Sequence, residues 1–204
     1  MYNMTLLIAV FTLPTTSALA VTRIDKATLD VTASSATWTA KKLAGTHTGK
    51  ISFKEGEFEF KKGKLVKGEV EADLNSITDE DLKDADSNKK LLGHLKSEDF
   101  FDTAKFPVAT FKITSMNDVY SIVAGQPNLD VKGMLTIHGI TKPFQTKVFY
   151  TPSDTGFSVT GKITIERTQY GLKYHSKKFF DPKVLGDKLI EDQFDVELNL
   201  VAKK

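Results

Sequence analysis

From Val66 to Leu74 every even position is apolar or glycine, while Lys67, Glu69, Glu71 and Asp73 fill the odd ones. Alternation of period two sends successive side chains to opposite faces of an extended chain, so this stretch predicts a strand with one dry and one wet face. The pattern recurs at Ala109/Phe111/Ile113, Leu129/Val131/Gly133/Leu135/Ile137, Phe144/Thr146/Val148/Tyr150, Phe157/Val159/Gly161/Ile163/Ile165 and Phe194/Val196/Leu198/Leu200. Shorter pieces of it run through Thr37–Ala40, Thr46–Phe53 and Phe58–Phe60. Turn signals stand between them at Glu55-Gly56, Lys62-Gly63, Gly125–Asn128 and Ser153–Gly156. Short connections between alternating strands predict antiparallel hairpins, and a series of them predicts a sandwich or a barrel. Closure is favoured because an open sheet leaves unpaired edges. With 204 residues and no linker or internal repeat, the reading is one mainly β domain.

The alternation breaks between Ile77 and Phe101. Thr78 followed by Asp79, Glu80 and Asp81 predicts a helix start, and Leu82, Ala85, Leu92 and Leu95 can share one face before Gly93 as a stop. A second irregular stretch, Tyr170 to Leu189, separates the last two strands.

Residues 1–20 are set apart. They carry no charge, hold the apolar run Leu6–Phe11, and end Ala18-Leu19-Ala20, the pattern of a secretory signal peptide, although no Lys or Arg precedes the run. Pro14 and its neighbouring hydroxyls interrupt the run too early for a membrane span. The expected organisation is therefore a signal peptide over 1–20 and a barrel domain over 21–204, periplasmic or secreted and not membrane-spanning after cleavage. Zero cysteines remove disulfides, thiolate metal sites and thiol nucleophiles. A net charge of +2 gives no reason to expect nucleic acid.

Catalytic chemistry finds little support. His47, His94, His138 and His175 show no metal-ligand spacing, and no GxSxG, GxGxxG or P-loop occurs. The acidic run near Asp79 lacks the glycine and terminal glutamate of a calcium loop. His138 reads as a solvent-facing strand residue. His47 shares the apolar parity of Gly49, Ile51 and Phe53 and so is expected to point inward. Lys41-Lys42 and Lys177-Lys178 are short basic pairs, ordinarily solvated. The fourteen phenylalanines are mostly core. Small inward residues (Gly49, Gly68, Ala72, Gly133, Gly161) are the ingredient that would leave room for an elongated apolar cavity.

Four stretches resemble one family in order and spacing. They are Thr37–Lys42 through Gly45–Gly49, then Gly93–Asp102 followed by Phe106-Pro107, then Gly133–Pro143, and finally Arg167–Leu172. Together, over about Arg23 to Val201, they resemble the YceI-like family of exported, lipocalin-like proteins. That resemblance implies an extended lipocalin-like antiparallel β-barrel with a short helical insertion. It implies a non-catalytic carrier with no cofactor, binding an amphiphilic lipid: a polyisoprenoid such as a quinone or isoprenyl phosphate, or a fatty acyl chain. It also allows a homodimer. The dry parity then supplies the expected lining: Trp38, Ile51, Phe53, Val70, Leu74, Phe111, Ile113, Leu135, Ile137, Phe144 and Val148. Leu91, Leu92, Leu95, Phe100 and Phe101 are expected to cover or shape one end, and Lys42 and His47 are the head-group candidates. Two rivals stay open: a barrel hydrolase or isomerase using an inward His, and a ligand-free interaction module with a filled core.

Overall fold

The computed structural model describes residues 24–43, 45–62, 64–120 and 125–204. The expected signal peptide lies outside the described residues. The strands are β1 (Ile24–Leu29), β2 (Ser35–Lys42), β3 (Gly45–Lys61), β4 (Lys64–Asp73), β5 (Val108–Asp118), β6 (Leu129–Ile137), β7 (Ile140–Ser153), β8 (Gly156–Glu166) and β9 (Ile190–Lys203). Two helices accompany them, α1 (Ala85–Lys96) and α2 (Pro182–Leu185), with 3-10 turns at Leu74–Ser76, Arg167–Tyr170 and Gly186–Lys188.

Every strand pairs antiparallel with its neighbours, in the order β1-β3-β2-β9-β8-β7-β6-β5-β4, and the β3–β4 pairing closes the ring. β1 and β2 occupy one position between β3 and β9. β1 pairs with Glu57–Lys61 and with Ala202–Lys203, whereas β2 pairs with Gly45–Ile51 and with Ile190–Asn199. The break between them is an Asx turn, in which the Asp30 carboxylate accepts from the Thr32 and Ala33 N–H groups at 3.1 Å each. The result is a closed eight-position antiparallel barrel. Among the described residues no helix is long and apolar enough to cross a membrane.

Alternation holds cleanly in β6, where Leu129, Val131, Gly133, Leu135 and Ile137 are all buried. Elsewhere bulges interrupt it. Glu55-Gly56 is no turn but part of the continuous β3, and a register shift between Phe53 and Glu55 moves the buried parity from Ile51 and Phe53 to Gly56, Phe58 and Phe60. A shift between Ile113 and Ser115 does the same in β5, bringing Met116 to the inner side. At the start of β4 Leu65 pairs with Phe60 and Lys67 with Glu59, so Val66 is the extra residue and stays 49% exposed rather than dry.

The two ends of the barrel differ. The connections β4–β5 and β8–β9 hold both helices and all three 3-10 turns and lie together at one end. There Leu74, Ile77, Leu95, Phe100, Phe101, Tyr170 and Leu172 join Trp38 in a common core. Arg167 secures this cap from within: 1% exposed, it donates to the carbonyls of Glu191, Leu172 and Ile190 at 3.0, 2.7 and 3.0 Å. The β6–β7 turn belongs to the same end. His138 and Gly139 form its two-residue tip, both with positive φ (51° and 71°), as a type I′ hairpin requires. His138 is accordingly a turn residue packed on Phe106, ring centroids 4.8 Å apart, rather than a solvent-facing strand residue.

The helix is shifted from its expected position. Its N-cap is Asp84, whose carboxylate accepts from the Ser87 N–H at 2.9 Å, and Gly93 lies inside it, the last turn being closed by Ser97. Thr78 and its acidic neighbours are engaged elsewhere. The Thr78 N–H donates to the Lys50 carbonyl and the Glu80 N–H to the Thr48 carbonyl, so the segment before α1 runs along β3.

Candidate functional site

The interior parity of the strands encloses an apolar cavity of about 180 Å³. Contributions come from β2 through β9 and from Phe101 in the cap. Thr146 is the single polar residue lining it among the described residues. Phe111, Ile113, Phe144, Ile163, Phe194 and Leu198 point inward yet are only partly covered, because the space they face is not filled by side chains. A surface of this kind offers dispersion and desolvation but almost no hydrogen bonding.

Ile51, Phe53, Val70, Leu74, Phe101, Phe111, Ile113, Leu135, Ile137, Phe144 and Val148 all line the cavity. Trp38 does not: its ring lies under the cap, with Nε1 donating to the Thr78 carbonyl at 3.0 Å. Leu91, Leu92, Leu95 and Phe100 belong to the cap and pack in or against its core without reaching the cavity. Lys42 sits at the end of β2, opposite Gly45 and Ile190, away from the cavity. His47 is also outside it. Its Nδ1 lies 2.9 Å from Asp81 Oδ2 and 3.8 Å from Asp79 Oδ2, on the segment that pairs along β3.

The lining also includes Phe58, Phe157, Val159, Ile165, Val196 and Leu200, from parts of the strands the sequence reading had as ordinary core. The signal for most of them was the same alternation. For Met116 it was masked by the bulge that inverts parity. Ala72 lines the cavity, whereas Gly68 and Gly133 act otherwise than expected. A Cβ on Gly133 would sit 2.5 Å from the Phe111 ring, and one on Gly68 would meet Phe58 at 2.7 Å and Ile113 at 2.9 Å. These glycines seat neighbouring side chains rather than leaving space. The Phe111 ring so placed stands edge-on to Phe144, centroids 6.1 Å apart.

Beside this geometry stand the likenesses to known proteins. A model of the YceI-like domain matches residues 28–202. A UPF0312 protein of Shewanella denitrificans is 36% identical over 99 residues, covering 48% of this chain and 47% of that protein. Another, of Shewanella oneidensis, is 30% identical over 133 residues, covering 61% and 63%. Protein YceI of Escherichia coli is 32% identical over 120 residues, covering 55% and 57%. The chain thus spans between 47% and 63% of the length of these relatives. Among solved structures, Burkholderia cenocepacia BcnA is similar with a TM-score of 0.64 at 20% identity, over 85% of this chain and 98% of that one. A domain of Saccharophagus degradans described as polyisoprenoid-binding is similar with a TM-score of 0.61 at 20% identity, over 87% and 97%. At such identities the shared property is the fold.

Proposed function

The chain belongs to the YceI-like family, and on that premise we propose that it is a non-catalytic carrier holding one amphiphilic lipid, a polyisoprenoid or fatty acyl chain, along its barrel axis. The observation that carries this reading is the apolar cavity inside the barrel, with Thr146 as its one polar lining residue among those described. A hydrocarbon chain entering it leaves water at a gain of about 0.8 kcal/mol per buried CH₂. The similar fold of a polyisoprenoid-binding domain supports the same class of cargo. The leader expected over residues 1–20 supports a carrier working outside the cytoplasm.

The volume sets a condition. About 180 Å³ lies below the usual ~300–1,000 Å³ of sites that bury a drug-sized ligand. A slender chain of a few carbons fits as the walls stand, and a longer one requires Phe111, Met116 or Phe144 to turn in their rotamers. Met is suited to such adaptation. The polar end of the cargo would remain outside the lining.

The test is mass spectrometry of an organic extract of protein purified without detergent, alongside Ala72→Phe, which places a ring in the lining. We expect a stoichiometric isoprenoid or acyl species from the wild type and at least a tenfold loss from the variant with its strand circular dichroism unchanged. A blank wild-type extract, repeated after incubation with mixed lipids, would overturn the carrier. Turnover of an ester or isoprenoid substrate that is lost in His47→Ala would favour the hydrolase or isomerase instead.

A further inference from the structure

Outside the cavity, one cluster of titratable side chains is built with unusual care. His47, on β3, meets Asp79 and Asp81 from the segment between the first 3-10 turn and α1, and one ligand-type atom from each lies within 4.8 Å of the others. Each aspartate is held by one oxygen and leaves the other facing the imidazole. Asp79 Oδ1 accepts from the Leu82 N–H at 2.9 Å and from Asn88 Nδ2 at 3.3 Å. Asp81 Oδ1 accepts from the Thr48 N–H at 2.7 Å. The two Oδ2 atoms then converge on His47 Nδ1, at 3.8 and 2.9 Å.

Asp79 is the unusual member. Its side chain is 0% exposed, and its Oδ2 has no hydrogen-bond partner among the described residues. A carboxylate oxygen in that state costs free energy unless something positive completes it.

From this geometry we infer that His47 Nδ1, Asp79 Oδ2 and Asp81 Oδ2 form a binding site for a divalent first-row transition cation such as Zn²⁺. Bonds of about 2.0 Å to a tetrahedral ion put its ligand atoms roughly 3.3 Å apart, between the two distances that His47 Nδ1 makes here. One imidazole and two carboxylates leave a fourth position for water. A nitrogen donor favours Zn²⁺ over Ca²⁺ or Mg²⁺, which prefer oxygen alone. Metal entry releases any proton on Nδ1, leaving the imidazole proton on Nε2. The backbone bonds from Leu82 and Thr48 play the orienting part that outer-shell partners play in metal sites. The ion would pin the segment before α1 to β3. None of the three residues lines the cavity, so the inference stands apart from the carrier reading.

Calorimetric titration of the chelator-stripped full chain with ZnCl₂, in a non-coordinating buffer, tests it. One Zn²⁺ per chain should bind at micromolar Kd or tighter, and Mg²⁺ at least a hundredfold more weakly. Asp79→Asn should weaken Zn²⁺ at least tenfold while keeping its circular dichroism, with His47→Gln as the second variant should Asp79→Asn not fold. Glu80→Gln, an exposed acidic neighbour that pairs with Lys50, should bind as the wild type does. Absence of stoichiometric binding would overturn the site. So would an equal loss in Glu80→Gln, which marks diffuse surface charge, or unchanged binding in both site variants.

Discussion

At the scale of single residues, side chains at the capped end combine burial with polarity. His94 on α1 lies 4.3 Å from the Tyr174 ring and 6.0 Å from Phe100, centroid to centroid, and its Nε2 is buried without a hydrogen-bond partner among the described residues. Burial pushes its pKa below the ordinary value, with His175 adding to the depression and Asp99 opposing it. A histidine depressed in the folded state stabilises the protein above its unfolded pKa of about 6.5, and that contribution is lost as pH falls through the folded value. The unfolding midpoint should therefore drop as pH falls below about 6.5, and His94→Gln should flatten that slope. Equal slopes in urea titrations of both proteins would exclude His94 as the cause. None of this was legible beforehand, because partners such as Tyr174 lie far along the chain. The same limit hid the partners of His47: only the segment that pairs along β3 brings Asp79 and Asp81 to it.

At the scale of elements, what could be read was the strand, and what could not was the irregularity within it. Alternation located the inner faces of β6, β8 and β9, since unbroken period two needs only local spacing. In β3 and β5 a single extra residue reverses the faces, and nothing in the local spacing of Lys54 or Thr114 announces it. The acidic run from Asp79 to Asp81 suggested a helix start, yet backbone pairing of Thr78 and Glu80 with β3 outcompeted it, leaving Asp84 as the cap. The β6–β7 turn is the element most open to a clean test. Gly139 has φ +71°, and a Cβ there would lie 2.5 Å from the Phe106 ring. Gly139→Ala combines left-handed strain with a steric clash and should cost about 1–3 kcal/mol in denaturant unfolding, with no change in m. A midpoint within error of the wild type would mean that Phe106 moves aside freely.

At the scale of the whole molecule, the ring is completed by strands from opposite ends of the chain. β9 pairs with β2 on one side and β8 on the other, and its last residues also meet β1. Removing residues 195–204 would strip the inner residues Val196, Leu198, Leu200 and Ala202 and leave β2 and β8 with open edges. Such a truncation should abolish cooperative unfolding altogether, as circular dichroism against urea would show. A truncated chain that still unfolds in one transition would mean that the remaining strands hold a sheet without closure. The pairing of first strands with last also fixes an order of events. Loop closure over nearly the entire chain is a late and slow step in any folding sequence. The seam between β2 and β8 stays open until residues 190–203 have been made and have paired with both, so the barrel becomes a container only once β9 has joined it.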